Sequence, residues 1–168
     1  MRLILLRHAK SSWAQCGLVD FDRPLAGRGQ REAPAIAADM LAKGLRPTLI
    51  LVSAAQRTRE TLGYLLQAFS HDAEIRICRA LYDAGAQTYI SMTNDVSGSH
   101  DEILLLGHNP SIQEAALMLH GTGHEDDKAR LNGKFPTAAY AAFRFPGDTA
   151  EIGGGTLEWF VEPRSLTP

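Results

Sequence analysis

The sequence is poor in cysteine and contains no long apolar segment. Its 168 residues include two cysteines, Cys16 and Cys78, whose separation matches no zinc-binding or redox motif. A chain of this length buries a sufficient core without disulfide bonds, so a reducing compartment is the simplest setting. No apolar run approaches the roughly 18 residues of a membrane-spanning helix, and the few apolar residues after Arg2 are too short a run for a signal peptide. We therefore expect a cytoplasmic protein that has no membrane partner.

A large excess of either charge is also missing. The 17 lysines and arginines face 19 aspartates and glutamates, which gives a formal net charge of −2 at pH 7. This balance argues against nucleic acid as a partner, although a local cationic pocket is compatible with it. The chain also lacks the Gly-x4-Gly-Lys-Ser/Thr loop that cradles nucleotide phosphates.

Clusters of metal ligands are not evident in the sequence. His120 and His124 stand four residues apart and precede three carboxylates, but Gly121 and Gly123 favour a surface loop over a metal-binding helix. We predict no metal and no other cofactor.

Short apolar runs alternate with amphipathic segments along the chain. The runs predict buried strands at Leu3–Leu6, Leu49–Val52, Ile75–Cys78 and Ile103–Leu106. Apolar residues that recur every three or four positions predict helices from about Ala33 to a C-cap at Gly44, from Gln56 to Phe69, and from Ile112 to Leu119 after a Ser111/Glu114 capping box. This alternation predicts a three-layer α/β/α sandwich with a mostly parallel central sheet, in one domain over residues 1–168.

The C-terminal part follows a different pattern. Thr137–Phe145 and Thr156–Val161 are β-like and are joined by a turn-rich segment, so they predict a hairpin that adds an antiparallel edge strand. The polar, glycine-bearing segment 120–136 predicts a surface loop.

Arginine and histidine recur where the predicted strands end. Arg7 and His8 follow the first strand, Arg57 follows the second, and His108 follows the fourth. In open α/β sheets, ligands bind beyond the carboxyl ends of the strands, so these side chains are expected to converge. Two guanidinium groups match the oxygens of a phosphoryl group, and a neutral histidine can attack phosphorus if a backbone carbonyl holds its other N–H. The pattern predicts a site for phosphoryl transfer.

The segments LILLRHAKSSW, SAAQRTRET and LLLGHNP resemble the histidine phosphatase superfamily, the phosphoglycerate-mutase-like proteins. The family's hallmark is Arg-His-Gly after the first strand, an arginine after the second and a second histidine after the fourth. The chain length and the segment DFDRPLAGRGQREA look most like the SixA-type phosphohistidine phosphatases of that family. The resemblance covers essentially the whole chain and implies a phosphoglycerate-mutase-like fold.

On this resemblance, His8 is the nucleophile that becomes phosphorylated. Arg7 and Arg57 then bind the phosphoryl oxygens, and His108 completes the pocket. The chain departs from the hallmark at Ala9, where most relatives have glycine. This departure concerns the backbone shape of the loop rather than the nucleophile.

A proton donor for the leaving group is harder to find. Larger relatives place a glutamate after the third strand, and the nearby carboxylate in this chain is Asp83. A weak or missing donor suits a phosphoramidate substrate, because a protonated imidazole leaves more readily than an alkoxide. Ser11 follows the nucleophile and is a candidate for contact with the phosphate or the substrate.

The loop DFDRPLAGRG has two interpretations. Arg23 and Arg28 would steer an anionic partner toward the site, or Asp20 and Asp22 would pair with these arginines in a solvated loop.

Two other phosphatase mechanisms fit the spacing less well. DFDRP resembles the Asp-x-Asp-x-Thr loop of haloacid-dehalogenase phosphatases, but Pro24 stands in place of the threonine. Cys16 and Arg23 enclose six residues, whereas a cysteine phosphatase loop needs Cys-x5-Arg.

The sequence therefore predicts a metal-independent phosphohydrolase that acts on a phosphorylated substrate, with a phosphohistidine-bearing protein preferred. A phosphatase for a small phosphomonoester or sugar phosphate is an alternative. A phosphate-binding or interaction module without turnover is an alternative from another class, although such a module has no need of a nucleophile. The oligomeric state is left open.

Overall fold

Strands and helices alternate along most of the chain. The computed structural model describes residues 1–14 and 17–166. In chain order its elements are β1 (Arg2–Arg7), α1 (Gly27–Ala42), β2 (Leu49–Ser53), α2 (Gln56–Ala68), β3 (Glu74–Cys78), α3 (Ala86–Ser97), β4 (Glu102–Gly107), α4 (Ser111–Leu119), β5 (His120–Gly123), α5 (Glu125–Gly133), β6 (Tyr140–Arg144) and β7 (Gly155–Val161). The four strands predicted from apolar runs are confirmed within two residues at each end.

The strands form one seven-stranded sheet in the order β3-β2-β4-β1-β6-β7-β5. β1, β2, β3 and β4 are mutually parallel, and Arg7 in β1 lies opposite Gly107 in β4. Because the two central strands end at the same level, the residues that follow them emerge side by side at one edge of the sheet.

The predicted fold class is confirmed, but the antiparallel strand is not at an edge. β6 runs antiparallel to both β1 and β7, and it lies between them. β5 pairs in parallel with β7 and forms the actual edge on that side. The prediction was wrong because β6 pairs directly with β1, so the second strand of the hairpin, β7, lies outside it. The segment before β6 then supplies a further strand, β5.

That segment, predicted as a surface loop, contains β5 and α5. Gly121 permits close backbone packing, since a Cβ atom there would overlap the carbonyl oxygen of Gly153. In α5 the first turn is acidic and Arg130 lies in the last turn, which suits the helix dipole. Only Leu131 of this helix is buried, so the apolar periodicity that identifies a helix in a sequence is absent.

Three other details differ from expectation. The helix α3 was not predicted, because its buried face mixes Tyr89 and Ile90 with polar Thr93. The helix α1 begins at Gly27 and continues through the exposed Pro34. The predicted capping box is wrong, since the Ser111 hydroxyl donates to the Ala84 carbonyl instead.

The strands β1, β2 and β4 are covered on both faces, which explains their unbroken runs of hydrophobic residues. The prediction that β3 is buried was wrong, because β3 is the edge strand and Ile75 and Ile77 are exposed. Side chains of β1 alternate between two cores: Leu3 and Leu5 face one, and Ile4 and Leu6 face the other. The first core includes residues of α3, α4 and α5, and the second includes residues of α1 and α2. No helix among residues 1–14 and 17–166 is long and apolar enough to cross a membrane.

We predict that Gly121→Ala lowers the free energy of unfolding by about 2 kcal/mol, because the added methyl group must displace backbone. Urea unfolding measures this change. The control is Gly63→Ala in α2, whose Cβ would meet nothing within 4 Å and which should be neutral or slightly stabilising. Equal stability of the two variants would show that β5 is not packed as described.

Candidate active site

His8 follows β1 and is only 6% exposed. Its Nδ1 lies 2.7 Å from the carbonyl oxygen of Ala9. Because a carbonyl can only accept, Nδ1 carries the ring proton and Nε2 keeps its lone pair. The guanidinium Nε of Arg57 donates to this Nε2 at 3.3 Å, which agrees with that tautomer. The ring therefore presents an unprotonated nitrogen toward a cation.

The backbone around His8 is held from three sides. The Ala9 N–H donates to the hydroxyl of Thr61, and the Ala26 N–H donates to the Lys10 carbonyl. On the other side, the Ala138 N–H donates to the carbonyls of Arg7 and His8 at 3.1 and 3.0 Å. Ala138 does so with φ of 61°, a left-handed conformation that non-glycine residues adopt at a cost and mainly near functional sites. Ala9 does not have positive φ, so this position does not require the glycine of the family hallmark.

Burial is the main influence on the protonation of His8. It holds the pKa of the imidazole well below its usual range, and nearby His108, Arg57 and Arg7 act in the same direction against the opposing hydrogen bond to Ala9. His8 is therefore neutral near pH 7, as a nucleophile must be.

Arg57 lies in the first turn of α2 and is 6% exposed. Its Nη1 donates to the Asp20 carbonyl at 2.6 Å, and its Nη2 donates to the Asp20 carboxylate at 2.9 Å. Asp20 thus contacts the end of the guanidinium fork, while the Nε side of the fork faces His8. This leaves donors on the His8 side for a phosphoryl group.

Arg7 is the last residue of β1. Its Nη1 donates to the Phe135 carbonyl at 2.8 Å, and its Nε is buried without a hydrogen-bond partner among the described residues. Burial and the charge of Arg57 lower the pKa of Arg7, which nevertheless stays protonated at neutral pH. A buried donor without a partner is costly unless a ligand satisfies it.

His108 follows β4 beside His8, with 5.1 Å between the ring centroids. Its Nε2 lies 2.8 Å from the Ser53 hydroxyl, and its Nδ1 is buried without a partner among the described residues. Its backbone N–H donates to the Tyr89 hydroxyl, which fits beneath the strand end because Gly107 has no side chain to exclude it. Burial and then the charge of Arg57 lower the pKa of His108 to about 4.

The structure brings four of the predicted site residues together, around a cavity of about 360 Å³ that is also lined by Ser11: Arg7, His8, Arg57 and His108. Asp83 is not in this set. It is exposed and lines an adjoining cavity that shares His108. Cys16, on which the cysteine-phosphatase alternative depends, lies outside the described residues.

Two side chains in the loop before α1 belong to the same cavity. Arg23 is 7% exposed, donates to the Ser11 hydroxyl, and stacks at 3.4 Å from the ring centroid of Trp13. Asp20 pairs with Arg23 at 3.1 Å and accepts from the Tyr82 hydroxyl at 2.6 Å. Of the predicted ion pairs in this loop, Asp20–Arg23 is confirmed, whereas Arg28 pairs with Glu32. Steering of an anionic partner by Arg23 and Arg28 stays a prediction, and of these two arginines Arg23 lines the cavity.

Asp20 is ionised although it is partly buried. Burial opposes its charge, but the Tyr82 hydroxyl, Arg57 and Arg23 outweigh that effect and lower the pKa of its carboxyl group. It is thus a counter-ion for guanidinium groups rather than a proton donor. In the sequence, the position of Asp20 three residues before Arg23 indicated one ion pair. That spacing could not show that Arg57 is the second partner of Asp20.

The histidines considered as metal ligands lie in different elements. His120 begins β5, and His124 immediately precedes α5. Within residues 1–14 and 17–166, no group of three or more histidine, cysteine or carboxylate side chains is placed to hold a metal ion.

The chain is similar to known proteins over nearly its whole length. The profile of the histidine phosphatase superfamily (branch 1) matches residues 3–113. An uncharacterized protein of Mycobacterium tuberculosis is 34% identical over 163 residues, which cover 95% of this chain and 100% of the relative. The chain therefore belongs to the histidine phosphatase superfamily.

Solved structures agree with this assignment. SixA from Agrobacterium tumefaciens, whose description as a phosphohistidine phosphatase is provisional, is 33% identical and superimposes with a TM-score of 0.83 over 96% of this chain and 97% of its own. A protein histidine phosphatase SixA bound to tungstate has the same fold, with a TM-score of 0.80 at 18% identity over 99% of this chain and 100% of its own. The protein is a phosphatase with the phosphoglycerate-mutase-like fold.

We predict that acid destabilises the protein partly through His108. Its pKa is lowered to about 4 in the folded state, so between pH 6.5 and 4 the unfolded chain binds a proton that the folded chain does not. Stability from this group is present above pH 6.5 and is lost as the pH falls, by about 2 kcal/mol between pH 7 and pH 5. Urea unfolding at the two pH values should show a smaller loss in His108→Asn than in the wild type. An equal loss in both proteins would contradict this account.

We predict that Asp20→Asn lowers kcat about 10-fold, because Arg57 loses the charged partner that orients its fork. KM for an anionic aryl phosphate should not rise, since the pocket loses a negative charge. The matched control is Asp22→Asn in the same loop, which removes an exposed carboxylate outside the cavity. If Asp20→Asn turned over faster than the wild type, Asp20 would be an obstacle to the phosphate rather than a positioning residue.

Proposed function

We propose that this phosphatase works without a metal ion and through a phosphohistidine on Nε2 of His8. The observation that supports this proposal is that the two ring nitrogens of His8 have different partners. Nδ1 lies against the Ala9 carbonyl, and Nε2 faces the Arg57 Nε at 3.3 Å. In the first step, Nε2 forms a bond to phosphorus as the bond to the leaving group breaks. In the second step, water attacks phosphorus, and His8 is released as the neutral imidazole.

The surrounding donors fit the charge of the transferring group. We assign three donors to the phosphoryl oxygens: the Nε of Arg7, the inner side of the Arg57 fork and the Nδ1 of His108. The Arg7 and His108 atoms have no hydrogen-bond partner within residues 1–14 and 17–166. With the Ser53 hydroxyl donating to its Nε2, neutral His108 carries its proton on Nδ1 and donates from there. Ser11 is assigned to substrate binding through Arg23. Donors aimed at the transferring group in a buried site stabilise the transition state more than they would in water.

The preferred substrate is a phosphohistidine on another protein. The cavity is lined by arginines, histidines and one ionised carboxylate, and Asp83 lies in the adjoining cavity rather than beside His8. A phosphoramidate needs the least help from a proton donor, because a protonated imidazole is a good leaving group. The provisional description of the Agrobacterium relative as a phosphohistidine phosphatase supports the same class. The low cysteine content supports a reducing compartment such as the cytoplasm as the place of the reaction.

The test is to expose the protein briefly to a radiolabelled phosphodonor such as phosphoramidate, and then to quench separate samples with acid and with base. We expect a label that survives base and is lost in acid, as for a phosphohistidine, and that is absent from His8→Ala. Hydrolysis of p-nitrophenyl phosphate should disappear in the same variant and should resist EDTA. The control is His124→Ala, which removes an exposed histidine outside the site.

Two results would overturn the proposal. Phosphate binding with neither label nor turnover would indicate a non-catalytic module. Loss of turnover in EDTA would indicate a metal-dependent mechanism. The variant Asp83→Asn distinguishes phosphate esters from phosphohistidine as substrates. If Asp83 protonates only poor leaving groups, the variant should slow ester hydrolysis and leave phosphohistidine hydrolysis nearly unchanged.

A further inference from the structure

A second cavity, of about 380 Å³, lies next to the candidate active site. We call it the basic cavity, because four cationic side chains and one carboxylate line it: Arg28, Arg130, Lys134, Arg164 and Glu162. None of these five side chains lines the cavity that contains His8.

The two cavities share a wall. Lys134 and Pro136 line the basic cavity, Thr137 lines the active-site cavity, and the Phe135 carbonyl between them accepts from Arg7 at 2.8 Å. A second connection runs through α1. Arg28 lines the basic cavity, and the next residue, Gly29, packs directly on the backbone of Lys10 in the loop after His8. The two cavities therefore lie on either side of one short chain segment, within reach of a single polypeptide ligand.

Two of the four cations of the basic cavity are held in place by a buried carboxylate. Glu162 is only 4% exposed, and it accepts from Arg130 at 3.4 Å and from Arg164 at 3.0 Å. Arg130 also donates to the Phe160 carbonyl at 2.8 Å. Because these guanidinium groups are already oriented, less side-chain entropy is lost when a ligand binds.

Cations still exceed carboxylates at the surface of this cavity. The Arg164 side chain is 77% exposed, and Lys134 is exposed and forms no ion pair among the described residues. Arg28 pairs with Glu32 and Arg130 pairs with Asp127, and both carboxylates lie outside the lining of the cavity. The four cations therefore face three carboxylates, counting Glu162. In a chain with a net charge of −2, this is a local excess of positive charge that fits an anion.

The arrangement favours several carboxylates over a single phosphate. The cations come from four separate places, namely α1, α5, the residue after α5 and the C-terminal turn. Two of them contact Glu162, and Arg28 and Lys134 line the cavity without contacting that carboxylate. Acidic side chains spaced along a polypeptide match such a distribution better than one compact dianion.

We infer that the basic cavity docks acidic side chains of the phosphorylated protein substrate, close to the phosphohistidine that enters the active site. The inference rests on the proposed function for its substrate. It gives the enzyme a surface that recognises the polypeptide, in addition to the active-site residues that contact the phosphoryl group. The site should therefore affect KM for a polypeptide substrate and leave the chemistry on a small substrate unchanged.

The test uses two peptides of equal length that carry one phosphohistidine, flanked in one by glutamates and in the other by glutamines. The wild type should hydrolyse the acidic peptide with kcat/KM about 5-fold higher, through a lower KM, as expected for partly exposed ion pairs. The double variant Lys134→Gln/Arg164→Gln should lose this preference. It should hydrolyse p-nitrophenyl phosphate as the wild type does, since neither residue lines the active-site cavity.

A matched control removes the same charge elsewhere. Arg59→Gln/Arg76→Gln replaces two exposed arginines that do not line the basic cavity, and it should keep the preference for the acidic peptide. Raising the salt concentration should weaken the preference in the wild type and in this control, because exposed charges are screened.

Binding of the unphosphorylated acidic peptide, measured by fluorescence anisotropy, separates the inference from the proposed function. Binding that is lost in Lys134→Gln/Arg164→Gln supports the docking site even if no phosphohistidine peptide is hydrolysed, and in that case the proposed substrate is wrong. The inference is overturned if the wild type binds the acidic and the glutamine peptide equally well, or if the double variant distinguishes them in binding as well as the wild type does.

Discussion

The alignment of β1 with β4 is the constraint on which the rest of the site depends. With Arg7 opposite Gly107, the residues that follow the two strands leave the sheet at the same level, and the rings of His8 and His108 lie 5.1 Å apart. A shift of one residue in this register would turn the apolar side chains of β1 toward the wrong core. The same hydrophobic pattern that stabilises the sheet therefore also positions the two histidines.

Three arginines lie close together in the active-site cavity. Arg7, Arg23 and Arg57 line one cavity, and their charges repel one another when no anion is bound. Backbone carbonyls and one carboxylate reduce this cost, since Phe135 accepts from Arg7 and Asp20 contacts the other two. In the proposed mechanism, the phosphoryl group of the substrate is the anion that balances these charges.

Where sequence reasoning failed, the missing signal was a contact between distant segments. The helix α5 buries only Leu131, so no apolar stripe revealed it. The strand β5 contains glycines that resemble a loop, yet Gly121 is needed because the backbone of Gly153 approaches it closely. The antiparallel strand β6 was recognised, but its place inside the sheet depends on β5 and β7 lying beyond it. The residues within each segment do not show which other segments pack against it.

The sequence by itself determined the four parallel strands β1 to β4, the helices α1, α2 and α4, and the convergence of Arg7, His8, Arg57 and His108. These follow from apolar runs and from the residues at their ends, which are local features combined with one general rule about strand ends. Only the tertiary structure decided that Asp20 orients Arg57 across 37 residues of sequence, that Asp83 lies in the adjoining cavity, and that a basic cavity shares a wall with the site. The physical reason is that hydrogen bonds and ion pairs between loops depend on where the packed elements place them, and the spacing of residues along the chain does not contain that information.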